Sequence, residues 1–488
     1  MGDRRECGAG RAAVRFRWKA PVPRMSLLLS GSLANAAPAL RLSQILSTLS
    51  HALDMTEGQP AGHCVRAAFV ADRIGAAVGL PGPERRDLRY AVLLKDLGCS
   101  SNAARLCQLY LADDLGFKRD FKRVGSGLPE VLRFVLEQTG AGADLAGRVR
   151  AVGHILRHGG EISRELIETR CTRGASIARR LRFSETVAEG IASLDEHWDG
   201  GGKPSGLSGG AIPLFSRIAL LSQIVDVFHR FGGPRAALEE TRRRAGRWFD
   251  PSLVAAFQDV VRDGTLWDEL AGPEELLIPL EDDPAERVDE TYLDDIAQAF
   301  GDIVDAKSPY TGNHCQRVAL YADMIGESLA LPDEARRRLR RAALLHDIGK
   351  LGVSNSILDK PGRLDEREWS LMRRHPVQSR VILSGLPVFA EAAEIGGAHH
   401  ERLDGRGYPD GVGGSEITPL TRIVTVADIF DALTADRPYR KAMSRAEAFA
   451  ILDADRDTGV DREMVAALRA GVDRLERANA GVDVLAAA

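Results

Sequence analysis

The segment His63-Cys64-Val65-Arg66-Ala67-Ala68-Phe69-Val70-Ala71-Asp72-Arg73-Ile74-Gly75 aligns without a gap on His314 to Gly326. The register continues through Leu80-Pro81 against Leu331-Pro332, and then Leu93-Leu94-Lys95-Asp96-Leu97-Gly98 against Leu344-Leu345-His346-Asp347-Ile348-Gly349. Further on, Asp199 to Pro204 matches Asp404 to Pro409, and Arg217-Ile218 matches Arg422-Ile423. A chain written twice in this way is held to two copies of one architecture. Apolar residues recur at helical spacing in both copies, at Val70, Ala71 and Ile74 and at Val318, Tyr321, Ala322 and Ile325, with few alternating runs. The expected fold is therefore all-α, a tandem of helical domains. A degenerate first copy is expected over residues 41–270, an acidic, proline-punctuated linker over 271–287 and a second copy over 288–488. Residues 1–40 read as a disordered basic extension, within which Met25 is an alternative start.

The copies differ in chemistry. From residue 271 onward the histidines are His314, His346, His375, His399 and His400, and they fall into one ordered set with Asp347, Lys350, Gly407-Tyr408-Pro409 and Asp428. Hydrolysing a phosphodiester at neutral pH needs an activated water and positive charge on the phosphoryl oxygens, and two cations ~4 Å apart supply both. Imidazole and carboxylate hold such ions, and a carboxylate can bridge two of them. The expected arrangement has Asp347 as the bridge, His346 and Asp428 on one ion, and His375, His399 and His400 on the other. A mixed N/O set of this kind suits iron or manganese, with nickel or zinc as alternatives, better than calcium or magnesium. Taken singly, His346 on the apolar face of Leu339, Ala342 and Ala343 would be an ordinary core histidine. Lys350 would be a charge near a helix end, and Gly407-Tyr408-Pro409 a turn.

The set resembles the HD-GYP family, bacterial phosphodiesterases that open cyclic di-GMP. The resemblance spans roughly residues 290–478 and includes Thr311 to Val318 and Asp431 to Arg440. It implies tandem HD-type helical domains, two divalent metal ions and hydrolysis of cyclic di-GMP to linear pGpG, with GMP as a further end point. By the same resemblance Asp347 and Lys350 are catalytic. Lys350, Gly407, Tyr408, Pro409, Asp431, Arg437 and Arg440 are substrate contacts, and His314 and Arg317 are accessory. Family members with a third metal carry a glutamate four residues before the first histidine, where this chain has Tyr310. That departure implies a two-metal site, leaves His314 in doubt as a ligand and points to the linear dinucleotide as product. Arg437 and Arg440 also read as plain helix-end charges. The family implies diguanylate cyclases (GGDEF proteins) as partners through the Gly-Tyr-Pro loop, and self-association as a homodimer. Alternatives are another cyclic dinucleotide or nucleotide as substrate, or a non-catalytic receptor or interaction module.

In the first copy, Lys95 stands at the place of His346, Cys99 at Lys350, Cys171 at His375, Leu194-Asp195 at His399-His400 and Gln223 at Asp428, and only Asp96 remains of the metal set. Lys95 points inward by its spacing from Leu88 and Ala91. It either replaces the lost cations beside Asp96 or reaches solvent along its own stem. The net charge of −4 gives no general attraction to nucleic acid or an anionic membrane. The six cysteines lack framework spacing and read as cytoplasmic thiols. No apolar run approaches the ~20 residues of a membrane span.

Overall fold

The computed structural model describes residues 41–125, 127–140, 144–274, 277, 288–438 and 440–486. The basic extension, most of the linker and Tyr439 lie outside these. Among the described residues the secondary structure is helical, and β-bridges occur only in isolation, as between Arg437 and Arg440. The all-α expectation holds because the apolar residues keep helical spacing: Val70, Ala71 and Ile74 are buried on one helix, and Val318, Ala322 and Ile325 on its counterpart.

The duplication is carried by equivalent helices. His63–Ala77 packs on Gly82–Leu93 and Leu214–Arg244, as His314–Ser328 packs on Asp333–Leu345 and Pro419–Thr434. Pro81 and Pro332 stand at the N-caps of Gly82–Leu93 and Asp333–Leu345, the third helix of each copy, where a missing N–H breaks no helical bond. Polar contacts repeat as well. Asp54 accepts the Cys64 amide and Asp305 the Cys315 amide. The Glu196 carboxylate accepts the amides of Ser205, Gly206 and Leu207, and Glu401 those of Asp410, Gly411 and Val412. Each of these glutamates therefore ties down the loop that follows the metal-ligand position of its copy. The copies diverge in the helix that bears Cys171 or His375: Leu145–Arg180 has 36 residues, His375–Ser384 only 10.

A single cluster of buried apolar side chains runs from Leu42 and Ile45 through both copies to Leu468. The first helix, Leu42–Thr56, packs on the turn Ile348–Gly352 and the helix His375–Ser384 of the second copy. Asp114, fully buried in the first copy, accepts hydrogen bonds from Ser354 Oγ and the Asn355 amide at 2.9 Å each. It also faces Lys307 Nζ at 3.4 Å. Burial alone would raise the Asp114 carboxyl, but Lys307 and Lys118 hold it below the usual range. A buried charge stripped of its partner is strongly destabilising. Asp114→Ala is expected to lower the unfolding free energy by about 3–5 kcal/mol, measured by urea denaturation, with part of the loss returned by Lys307→Met in the same chain.

Candidate metal centre

The residues His346 to Lys350 leave the end of helix Asp333–Leu345 and enter a tight turn. The turn is pressed onto helix His375–Ser384: a Cβ on Gly349 would stand 2.1 Å from the His375 carbonyl oxygen, so only glycine fits. Ser379 closes the contact, accepting the Gly349 amide at 3.0 Å and donating to the His346 carbonyl at 2.8 Å. His399 and His400 follow helix Ala390–Ala398, and Asp428 comes from helix Pro419–Thr434.

Four imidazoles are oriented in one way. His346, His375 and His399 each donate Nδ1–H to the carbonyl three residues earlier, of Ala343, Met372 and Gly396, at 2.6, 2.8 and 3.0 Å. His314 donates Nδ1–H to Asp431 at 2.7 Å. A proton fixed on Nδ1 leaves the lone pair on Nε2, which is how a metal-binding histidine is set. The Nε2 atoms converge on Asp347. Its Oδ1 lies 3.3 Å from His375 and 3.6 Å from His399, and its Oδ2 lies 3.4 Å from His314 and 3.3 Å from His346. Asp428 Oδ1 is 3.3 Å from His314 Nε2 and 4.0 Å from His346 Nε2.

These groups fit bound cations. His314 Nε2, His346 Nε2 and Asp347 Oδ1 are buried with no hydrogen-bond partner, and His375 Nε2 faces His399 Nε2 at 3.4 Å. Two lone pairs do not face each other without a cation between them. Three clusters place their ligand atoms within 4.8 Å of one another: His375, His399 and His400; His314, His346 and Asp347; and His346, His399 and Asp428. Burial holds His375 down to about 3 and lowers His399 and His400 too. Burial would raise Asp347, but His346 and Lys350 hold it well below the usual carboxylate range. Neutral imidazole and ionised carboxylate are the states a metal requires.

The first copy keeps the outer frame and fills the centre with its own cations. His63 Nδ1 and Arg66 Nε bind Asp226 at 2.7 Å each, as His314 and Arg317 bind Asp431. Lys95, with its side chain fully buried, pairs with Asp96. The snorkelling alternative is thereby overturned, because the ammonium finds its partner inside. Glu57 is bracketed by Lys118 at 3.7 Å and Lys122 at 3.0 Å, and Arg170 pairs with Asp195. Against the desolvation that opposes it, Lys122 and Lys118 hold the Glu57 carboxyl down to about 2.

Several expected site residues take other places. His314, left in doubt as a ligand, stands inside the cluster, its Nε2 3.4 Å from Asp347 Oδ2 and 3.3 Å from Asp428 Oδ1. Asp431 does not face a substrate: it is fully buried behind His314, with its oxygens taken by His314 and Arg317. Arg317 accordingly acts through Asp431. Arg440 is not a substrate contact either, because its guanidinium donates to the carbonyls of Ala432, Leu433 and Lys441 and so closes a helix C-terminus. Lys350, side chain 18% exposed, pairs with Asp347 at the mouth of the centre, and Arg437 lies close enough to act on its charge. Tyr408 stacks on His400 with centroids 4.7 Å apart, in a loop formed with Gly407 and Pro409. Tyr310, 40% exposed, lines a cavity of about 430 Å³ with Arg317 and Tyr321. Sequence reasoning missed Trp369 and Arg373 beside Tyr408; the only signal was an aromatic residue inside a run of arginines before His375.

A family model described as HD domain matches residues 157–253 and 298–464, more than half of the chain and parts of both copies. The chain belongs to the HD-domain family. Within it, the chain is similar over most of its length to the 3'3'-cGAMP-specific phosphodiesterase 3 of Vibrio cholerae, 51% identical over 437 residues, covering 89% of this chain and 95% of that one. A crystal structure of a cyclic GMP-AMP specific phosphodiesterase of V. cholerae superposes with a TM-score of 0.62 at 45% identity, over 89% of this chain and 98% of the other. The cyclic di-GMP phosphodiesterase response regulator RpfG of Xanthomonas campestris is 42% identical over 169 residues, 34% of this chain and 45% of that protein. Among the described residues no helix is long and apolar enough to cross a membrane.

In this HD domain the turn at Gly349 fixes how close Asp347 comes to helix His375–Ser384. Asp347→Ala is expected to remove bound metal, and Gly349→Ala to reduce it by pushing the turn off the His375 carbonyl. Asp96→Ala should leave the metal content of folded protein unchanged; elemental analysis of purified protein checks all three. Lys95→Met is expected to cost about 3–5 kcal/mol in urea denaturation by leaving Asp96 unpaired. Adding Asp96→Asn should recover much of the loss.

Proposed function

We propose that the chain is a metal-dependent phosphodiesterase that opens a 3'3'-linked cyclic dinucleotide, with 3'3'-cGAMP as its substrate and the linear dinucleotide as its product. The observation that carries the reading is the Asp347 carboxylate, each of whose oxygens faces a different pair of imidazole Nε2 atoms. His314, His346, Asp347 and Asp428 would hold one cation, and Asp347, His375, His399 and His400 the other. Iron or manganese suits this donor set best. Such ions, when bound, supply positive charge to the phosphoryl oxygens and acidify a water.

The protein's own groups do the rest. The carbonyls of Ala343, Met372 and Gly396 hold the imidazoles in register, so no reorientation is needed when charge develops. Lys350 and Arg437 bring fixed positive charge to the mouth, where the phosphodiester arrives. A receptor would have no use for so many unsatisfied, inward-turned nitrogens, and this argues for an enzyme. We place it in the cytoplasm: the described cysteines are all free.

The choice of 3'3'-cGAMP rests on likeness across both copies. The relative named for that substrate covers 89% of this chain, whereas the cyclic di-GMP relative RpfG covers 34%. Cyclic di-GMP is the second reading, favoured by the ligand set common to the second copy. With manganese-loaded protein, kcat/KM is expected to be at least about tenfold higher for 3'3'-cGAMP than for cyclic di-GMP, a difference of about 1.4 kcal/mol in transition-state binding. The reverse order would favour the second reading. Because Tyr310 occupies the position of the third-metal acid, mononucleotide is expected to form much more slowly than the cyclic substrate disappears, as followed by chromatography.

A further inference from the structure

Beyond the His400 edge of the metal centre the side chains form a small aromatic step. Tyr408 covers His400 at 30° between ring planes. Trp369 meets Tyr408 edge-on with centroids 6.2 Å apart. The Arg373 guanidinium stands 5.2 Å from the centroid of each of these two rings. Trp369 is 41% exposed, on a helix, Glu366–Met372, that buries no residue. Its large apolar surface therefore contributes little to the core.

Arg373 differs from several arginines around the site, which are held by carboxylates. Arg380 is committed to Asp410, Arg402 to Asp404 and Asp455, and Arg422 to Asp461. Arg373 is exposed and rests only on aromatic faces, which leaves its N–H edge free. An aromatic face beside a phosphate site is a stacking surface for a base. A free guanidinium edge donates two parallel hydrogen bonds to N7 and O6 of guanine. Adenine presents an N6 donor in place of O6 and cannot accept both.

We propose that Trp369 and Arg373 form a guanine-recognition platform, Tyr408 setting its height against His400. The platform deepens the functional reading above and rests on it. It takes the guanine of a cyclic dinucleotide by stacking on Trp369 and by Arg373 hydrogen bonds. This places the adjoining phosphodiester over the metal centre and disfavours a cyclic dinucleotide that lacks guanine.

The test uses the full chain loaded with manganese and four substrates: 3'3'-cGAMP, cyclic di-GMP, cyclic di-AMP and bis(p-nitrophenyl) phosphate, a phosphodiester without a base. Trp369→Ala and Arg373→Ala are each expected to lower kcat/KM on the two guanine-containing substrates by about 10- to 100-fold, chiefly through KM. That loss should exceed the loss on the nitrophenyl ester by tenfold or more. Trp369→Phe should restore most of it. Arg373→Gln, whose amide pairs with adenine, should raise the use of cyclic di-AMP relative to cyclic di-GMP. Equal losses on all four substrates, or no loss on the cyclic dinucleotides, would overturn the platform while leaving the phosphodiesterase in place. Wild-type protein that cleaves the nitrophenyl ester but no cyclic dinucleotide would overturn the functional reading, and the platform with it.

Discussion

The second copy is organised around one carboxylate. Asp347 is buried, and its two oxygens face two separate pairs of Nε2 atoms, so four helices and a turn must all be in place before the group makes sense. A buried carboxylate with an unpartnered oxygen is costly. The protein has not relieved that cost with hydrogen-bond donors of its own beyond Lys350. The deficit is one that bound cations would relieve. The backbone carbonyls behind the imidazoles, the Gly349 turn and the His314–Asp431–Arg317 chain all keep it from relaxing.

The first copy answers the same electrostatic problem differently. Asp96 sits where Asp347 does, and the positive charge comes from side chains instead: Lys95 on Asp96, Lys118 and Lys122 on Glu57, Arg170 on Asp195. A covalently attached ammonium cannot be lost by chelation and offers no open coordination position. The exchange therefore fills with side-chain charge a place that the second copy leaves to its imidazoles. The outer pairing of His63, Arg66 and Asp226 persists because it orients the helices whether or not chemistry follows.

The first copy is also tied to the second. Asp114 reaches across to Ser354, Asn355 and Lys307, at the exit of the turn that carries Asp347 and Lys350. Together with the packing of helix Leu42–Thr56 on that turn, this gives the first copy a direct hold on the position of the ligands. The first copy thus serves as part of the wall against which the other is built.

Residue identity and local spacing were sufficient for the duplication, the helical class and the set of histidines and aspartates that the fold brings together in the second copy. Each of these is written in a side chain's chemistry or in a periodicity of a few residues. The roles of Asp431 and Arg440 were misread because both lie beside the motif in sequence, and only packing decides whether a side chain faces the cavity or the back of a ligand. His314 was doubted because its standing was tied to the residue at 310, whereas its ring is aimed by Asp431, 117 residues away. The Asp114 bond to Ser354 spans 240 residues, and the Trp369–Arg373–Tyr408 step joins a short helix to a distant loop. Sequence alone determined which imidazoles, carboxylates and cationic side chains this protein has to bring together. Only the tertiary structure decided which oxygen faces which nitrogen and which charges are left free, because those follow from how distant helices pack and not from their order along the chain.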